Sequence, residues 1–85
     1  MAVQVEIFSS PGCTKCSHAK DLLREMAEQL GEDRILWKEI NVLSDLDYSV
    51  SLGVMSTPAI AIDGSLVFTG LPSVKKLRAE LEKRL

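Results

Sequence analysis

Apolar and polar residues alternate near the start of the chain, and this pattern predicts a β-strand over residues 3–8. Val3, Val5 and Ile7 occupy every second position, with single polar residues between them. A two-residue period is typical of a strand that buries one of its faces. The Pro-Gly dipeptide at positions 11 and 12 is a turn signal, so we expect the strand to end before it.

The period then changes to three or four residues, which predicts an amphipathic helix over residues 17–30. Polar side chains fill the opposite face of this helix, and Gly31 directly after it is favourable for ending a helix. Leu23 and Met26 are interpreted as ordinary core. The whole apolar stripe consists of Ala19, Leu22, Leu23, Met26, Ala27 and Leu30.

A second strand and a short helix are predicted next. Residues 35–42 are mostly apolar, although a Lys-Glu pair interrupts the pattern. Ser44 is a favourable N-cap, and acidic residues follow it in what would be the first helical turn. We expect this helix to place Leu46 and Val50 against the core and to end at Gly53.

The last part of the chain predicts a β-hairpin followed by a helix. Two apolar runs, residues 58–62 and 65–69, are joined by Asp63-Gly64, which is a strong hairpin signal. After residues 71–73, apolar side chains recur at helical spacing, at Val74, Leu77, Leu81 and Leu85.

The order of the elements predicts an α/β fold with one domain over residues 1–85. The first half forms a βαβ unit with parallel strands, and the second half forms a ββα unit. Together they give a four-stranded mixed sheet with three helices distributed over both faces. Gln4 and Glu6 are polar where a central strand covered on both faces should be apolar, and the pattern assigns them no role.

Composition and charge narrow the range of functions. A chain of 85 residues with 46% hydrophobic residues is typical of one soluble globular domain, which we expect to be a monomer. The net charge is −2 and there is no basic block, so nucleic acid is not an expected partner. No apolar run approaches the ~20 residues needed to cross a membrane. The first residues lack the features of a secretory signal, which predicts a cytoplasmic protein.

The candidate chemistry lies in the two cysteines, Cys13 and Cys16, between the first strand and the first helix. A thiol at the start of a helix faces unpaired N–H groups and the positive end of the helix dipole, which favour the thiolate. The second cysteine is nearly one turn later, where it can close a small disulfide or resolve a mixed one. The spacing therefore predicts a redox-active dithiol that needs no other cofactor.

Two other interpretations of the cysteines remain open. One is an inert buried pair. The other is a metal site, because small copper carriers also place Cys-x-x-Cys between a first strand and a first helix, where thiolates suit Cu(I). Those domains end on a strand, whereas this chain ends on a predicted helix. A structural zinc site needs four ligands, and the chain offers two cysteines and the single histidine, His18.

The motifs resemble those of the thioredoxin and glutaredoxin superfamily, most closely its small single-domain members. Cys13-Thr-Lys-Cys16 follows the first strand, and Met55-Ser-Thr-Pro58 opens the Asp-Gly hairpin. The resemblance covers essentially the whole chain. It implies a thioredoxin-like fold and a thiol–disulfide oxidoreductase that reduces protein disulfides.

The resemblance also implies roles for individual residues. Cys13 would be the exposed attacking thiolate, and Cys16 the shielded resolving thiol. Pro58 would be a cis-proline beside the dithiol, and the backbone at Thr57 would pair with an extended substrate segment. The implied substrate-binding residues are Pro11, Gly12, Thr14, Lys15, Thr57 and Pro58.

The chain departs from the thioredoxin pattern around the cysteines. Gly12 stands where thioredoxins have tryptophan, and Thr14-Lys15 replaces Gly-Pro. Ile7 replaces the buried acid that thioredoxins carry six residues before the first cysteine. Proton transfer to or from Cys16 must therefore use water or another group.

The positions that bind glutathione in glutaredoxins also differ. Ser10 replaces a lysine, and Leu71-Pro72-Ser73 contains no acidic residue for the amino group of glutathione. We therefore expect an electron donor of the thioredoxin reductase type. A glutathione-dependent glutaredoxin is the alternative.

Three further side chains have less specific interpretations. Lys15 either stabilises the Cys13 thiolate or is a solvated surface lysine, and both remain open. His18 is five residues after Cys13, about 140° around a helix, so we expect it at the surface. Trp37 has no motif around it, which favours packing on a strand over substrate contact.

Overall fold

The elements follow the predicted order. The computed structural model describes residues 2–85. Its strands are β1 (Val3–Ser9), β2 (Ile35–Asn41), β3 (Ala59–Ile62) and β4 (Ser65–Thr69), and its helices are α1 (Thr14–Leu30), α2 (Leu46–Leu52) and α3 (Val74–Lys83). Most boundaries lie within one or two residues of the predicted ones, and α1 ends before Gly31 as expected.

The four strands form one mixed sheet in the order β2-β1-β3-β4. β1 is parallel to β2, and in their register Ile7 lies opposite Glu39. β3 is antiparallel to both β1 and β4. The predicted βαβ and ββα units are thereby confirmed, and β1 is a central strand whose carboxyl end leads into the cysteine segment.

Two apolar clusters hold the layers together, one on each face of the sheet. The larger lies between the sheet and helices α1 and α3, where Leu23 and Leu77 are fully buried. The smaller lies near the carboxyl end of β1, where Phe8 is buried and Leu52 of α2 packs against it. Full burial of a leucine or phenylalanine side chain contributes about 1.5–3 kcal/mol, so the larger cluster fixes α1 against the sheet.

The predicted core face of α2 is wrong. Leu46 and Val50 are 57% and 64% exposed, whereas Ser49 is 1% exposed. The Ser49 hydroxyl donates a hydrogen bond to the Asp45 carbonyl at 2.8 Å, so its polar group is satisfied inside the helix. A buried serine of this kind carries no hydrophobic signal. Asp45, rather than Ser44, is the N-cap residue of α2.

The polar residues of β1 lie where the sheet is only partly covered. Gln4 is exposed, and Glu6 is half-buried beside α2. The Tyr48 hydroxyl donates a hydrogen bond to Glu6 at 2.6 Å, and this bond raises the pKa of Tyr48. Lys38 Nζ lies 3.9 Å from the other Glu6 oxygen. The Tyr48 hydroxyl of α2 thus supplies the hydrogen bond that accommodates Glu6 on this central strand.

The predicted hairpin is present between β3 and β4. Asp63 and Gly64 have φ angles of 50° and 83°, as a tight turn between antiparallel strands requires. The Asp63 side chain accepts a hydrogen bond from the Gln4 N–H at 2.9 Å, which ties the turn to β1. Among residues 2–85, no helix is long and apolar enough to cross a membrane.

Candidate active site

A tight turn connects β1 to the cysteines. Pro11 and Gly12 occupy its two central positions, and the Cys13 N–H donates to the Ser10 carbonyl at 3.3 Å. Gly12 has a φ of +77°, a conformation that favours glycine at this position of a turn. Pro11, Gly12 and Thr14 are all exposed, so the turn presents its residues to solvent.

The two cysteines are joined by a disulfide, and they differ in exposure. Cys13 is partly exposed and is the N-cap residue of α1, whereas Cys16 is 2% exposed and lies inside the first turn. Cys13 Sγ accepts a hydrogen bond from the Cys16 N–H at 3.2 Å. This bond satisfies one of the free N–H groups at the start of the helix, and it favours negative charge on the Cys13 sulfur.

The loop before β3 lies beside the cysteine turn. The Thr57–Pro58 peptide bond is cis, as the resemblance implied, and Pro58 is buried. The hydroxyls of Thr57 and Ser10 share a hydrogen bond of 2.8 Å. The structure thus brings together two segments that are 47 residues apart in the sequence.

A polar groove of about 420 Å³ runs along the cysteines. Sequence reasoning missed several of its residues, among them Ser9, Lys20 and Glu39. Local signals exist for two of them, because Ser9 continues the buried face of β1 and Lys20 lies one helical turn after Cys16. The groove is lined by Ser9, Ser10, Gly12, Cys13, Thr14, Cys16, Ser17, Lys20 and Glu39.

The side chains of Ser9, Lys20 and Glu39 form a hydrogen-bonded cluster beside the dithiol. Glu39 Oε2 accepts a hydrogen bond from the Ser9 hydroxyl at 2.7 Å and lies 3.3 Å from Lys20 Nζ. Ser9 is only 6% exposed. The Ser9 hydrogen bond, and then the interaction with Lys20, lowers the pKa of Glu39. Glu39 is therefore a carboxylate at neutral pH.

A second, more apolar groove of about 300 Å³ lies on the other side of the Ser10–Thr57 pair. Met55 is 95% exposed at its rim, and the exposed Leu46 also contributes to it. The groove is lined by Ser10, Val42, Leu46, Ser49, Val54, Met55, Ser56 and Thr57. Exposed apolar side chains around a concave surface are typical of interaction sites.

Lys15, His18 and Trp37 lie outside both grooves. Lys15 is exposed and forms no ion pair with any residue of the described part of the chain. His18 is exposed, as expected. Trp37 is half-buried and packs against the larger apolar cluster, which confirms its interpretation as strand packing.

In the described part of the chain, no further metal ligand accompanies the two cysteines. Within residues 2–85, no group of three or more histidine, cysteine, aspartate or glutamate side chains could hold a metal ion. The cysteine sulfurs are instead bonded to each other.

The fold and the disulfide together define a class. A disulfide between an exposed and a buried cysteine at the start of a helix, beside a cis-proline loop, is the site of a thioredoxin-like thiol–disulfide oxidoreductase. The family model described as thioredoxin domain matches residues 1–82, and the chain belongs to this family.

Named relatives agree with this assignment. The chain is 36% identical over 77 residues to a probable thioredoxin of Methanothermobacter thermautotrophicus, covering 91% of this chain and 89% of the relative. It is 34% identical over 83 residues to a thioredoxin of Methanocaldococcus jannaschii, covering 98% and 96%. The protein is thus a thioredoxin-type oxidoreductase with a Cys13–Cys16 disulfide.

Solved structures show the same fold. A mutant thioredoxin from Halobacterium salinarum superimposes with a TM-score of 0.80 at 22% identity, covering 95% of this chain and 73% of that one. A malarial protein superimposes with a TM-score of 0.82 at 19% identity, covering 100% and 99%. At these identities the likeness concerns the fold alone.

In the reduced protein, the pKa of Cys13 is expected to lie below the value of about 8.5 for a free cysteine. The Cys16 N–H and the positive end of α1 both stabilise negative charge on the Cys13 sulfur. The pH dependence of iodoacetamide alkylation at Cys13 measures this pKa. The Cys16→Ser variant serves as control because Cys13 is then the only thiol. A midpoint at or above that of a model peptide thiol would contradict the expectation.

Proposed function

We propose that this protein, as one domain over residues 1–85, reduces disulfide bonds of other proteins in the cytoplasm and acts as a monomer. In this proposal Cys13 is the attacking thiolate and Cys16 the resolving thiol. The observation that carries it is the difference in exposure between the two sulfur-bearing residues: Cys13 is accessible and caps α1, whereas Cys16 is buried behind it.

The proposed reaction has two exchange steps. In the first, the Cys13 thiolate attacks one sulfur of the substrate disulfide, and the other substrate sulfur leaves as a thiolate. In the second, Cys16 loses its proton and attacks Cys13 Sγ, which releases the first substrate sulfur as a thiolate. The substrate has then gained two electrons, and the protein holds the Cys13–Cys16 disulfide.

The surface around the dithiol supports a protein substrate. Thr57 is fixed by its hydrogen bond to Ser10, so the loop at Pro58 is held beside the cysteine turn. We propose that an extended substrate segment lies along Thr57 and Pro58, and that Pro11, Gly12, Thr14 and Lys15 also contact it. Met55 would bind an apolar part of the same substrate, since it projects into solvent at the rim of the adjoining groove.

The disulfide must be reduced again after each cycle. We propose a reductase of the thioredoxin reductase type as the electron donor, docking on the surface formed by Cys13, Met55 and the loop at Thr57 that precedes the buried Pro58. The protein itself then needs no cofactor other than the cysteine pair. This choice of donor distinguishes the proposal from a glutathione-dependent enzyme.

The test compares a protein disulfide with a small one. Met55→Gln is expected to lower kcat/KM for a small protein with accessible disulfides, such as insulin, by about fivefold. The reason is that partial burial of one methionine contributes about 1 kcal/mol to binding. With a small aromatic disulfide, which does not span the surface, the same variant is expected to behave like the unmodified protein. Thiol release from each substrate is the measurement.

Leu36→Gln is the matched control, because Leu36 is an exposed apolar residue on β2 that lines neither groove of the site. Equal losses in the two variants would contradict a docking role for Met55. A protein that reduces the aromatic disulfide but leaves insulin disulfides intact would overturn the proposed function.

A further inference from the structure

Cys16 needs a group that takes its proton. A thiol attacks a disulfide as the thiolate, and burial in apolar surroundings makes a thiol hold its proton more strongly. Cys16 is 2% exposed, so its side chain is largely enclosed by the protein. Ile7, on the face of β1 that packs against α1, is fully buried and offers no acid or base. The acceptor must therefore lie elsewhere around Cys16.

The polar groove contains one carboxylate. Its charged and titratable residues are Lys20 from α1, Glu39 from β2, and the two cysteines at the start of α1. Lys20 carries a proton at neutral pH and has no acceptor atom. Of the side chains that line this groove, only Glu39 can accept a proton in its ordinary charge state.

Two features of the fold place Glu39 beside the dithiol. In the parallel register of β1 and β2, Glu39 lies opposite Ile7, so its side chain leaves the sheet on the face covered by α1. Lys20 lies one helical turn after Cys16 on that helix and meets Glu39 across the groove. Ser9, the next residue of β1 on the same face, donates to the same carboxylate.

The two oxygens of Glu39 are used differently. Oε2 accepts the Ser9 hydrogen bond and lies against Lys20, whereas Oε1 has no hydrogen-bond or ion-pair partner among residues 2–85. A carboxylate held through one oxygen keeps the lone pairs of the other available. Cys16 and Glu39 line the same groove of about 420 Å³, which has room for water molecules.

We propose that the Glu39 carboxylate accepts the proton of Cys16 in the second exchange step, through water in the groove. Ser9 and Lys20 act only by holding the carboxylate in place. The inference rests on the proposed function, in which Cys16 is the resolving thiol.

The step is balanced in atoms and electrons. The Cys16 S–H proton passes to Glu39, and the sulfur electron pair forms the bond to Cys13 Sγ. The bond between Cys13 and the substrate sulfur breaks, and that sulfur leaves as a thiolate. Glu39 then returns the proton to solvent or to the departing thiolate. The Ser9 hydrogen bond, and then the interaction with Lys20, lowers the pKa of Glu39, so its side chain is the carboxylate throughout the neutral range.

A purely electrostatic role for the cluster predicts the opposite result. If Glu39 only placed negative charge near Cys16, its neutralisation would leave the Lys20 ammonium unpaired, and this would favour the Cys16 thiolate. The second exchange step would then become faster. The sign of the effect in Glu39→Gln therefore distinguishes proton transfer from a charge effect.

The experiment is a single turnover with a symmetrical aromatic disulfide whose halves absorb light when released as thiolates. Attack by Cys13 releases the first thiolate, and resolution by Cys16 releases the second. Glu39→Gln is expected to leave the first phase unchanged and to slow the second phase at pH 7 by about tenfold or more. Glu39→Asp, which keeps a carboxylate, is expected to recover part of the rate. Glu25→Gln is the matched control, since Glu25 is exposed on α1 and does not line the groove.

The pH dependence of the second phase gives a second test, which can be made on the unmodified protein alone. With Glu39 as acceptor, the second phase of the unmodified protein is independent of pH between about pH 5 and 7, because neither group changes its protonation there. With solvent alone, the rate follows the thiolate fraction and rises about tenfold per pH unit. The Glu39→Gln variant is expected to show that rise.

Two results would overturn this inference and leave the proposed function unaffected. These are a second phase in Glu39→Gln that is as fast as in the unmodified protein or faster, and a tenfold rise per pH unit in the unmodified protein. An unmodified protein that releases the first thiolate but never the second would overturn the proposed role of Cys16, and this inference with it. Circular dichroism of each variant shows whether the fold is retained.

Discussion

Cys13→Ser is expected to lower disulfide reduction to the rate measured without protein, whereas Cys16→Ser is expected to trap the substrate as a mixed disulfide on Cys13. A serine hydroxyl at the N-cap retains the hydrogen bond from the Cys16 N–H, but its very high pKa leaves no nucleophilic anion at neutral pH. Without the Cys16 sulfur, the first exchange step proceeds and the second cannot. The trapped adduct is measured by mass spectrometry and by its release with dithiothreitol.

His18→Gln is the matched control for these variants, because His18 is exposed on the same helix and lies outside both grooves. It should reduce substrate at the rate of the unmodified protein. Turnover by Cys13→Ser, together with a substrate adduct on Cys16, would reverse the assigned roles. Loss of turnover in His18→Gln would show that this part of the helix surface takes part in the reaction.

The second large effect concerns the electron donor. A thioredoxin reductase is expected to reduce the Cys13–Cys16 disulfide with saturation kinetics, whereas glutathione is expected to react slowly and in proportion to its concentration. Glutathione has two carboxylates, so a site for it needs cationic side chains or free N–H groups. In the groove, the Lys20 ammonium is already paired with Glu39. The exposed Lys15 outside it contributes little in water.

The loop before α3 strengthens this expectation. Leu71-Pro72-Ser73 has no acidic side chain, and Pro72 lacks a backbone donor. Thiol appearance is followed with each donor in turn, and a glutaredoxin measured under the same conditions is the positive control for glutathione. Fast, saturable turnover with glutathione at physiological concentration, and none with a thioredoxin reductase, would identify a glutaredoxin and contradict the expectation.

The elements that carry a strong local pattern were predictable from the sequence. The alternation at Val3, Val5 and Ile7 and the helical stripe around Leu23 each extend over several residues, so their periods are clear. The Asp63-Gly64 turn signal between two apolar runs likewise made the hairpin predictable. The α2 face was not predictable because the helix has only seven residues, and its buried position is a serine whose hydroxyl is satisfied by Asp45.

The candidate site was predictable only where it is local in sequence. Cys13 and Cys16 were identified from their spacing and from the strand and helix around them. In the local pattern Glu39 is only an interruption of β2, because its position beside the dithiol depends on the register of β2 against β1. That register is set by contacts between segments more than 30 residues apart, which a local pattern does not contain.

The hydrogen bond between the Ser10 and Thr57 hydroxyls has a consequence for protein engineering. It is a side-chain hydrogen bond between the loop that carries the dithiol and the loop that carries Pro58. Grafting a foreign dithiol loop that replaces Ser10 with an apolar residue would leave Thr57 without its partner and free the two loops to shift apart. Exchanging Ser10 and Thr57 as a pair, with hydroxyls on both sides, keeps the loops in register while the residues between Gly12 and Cys16 are redesigned.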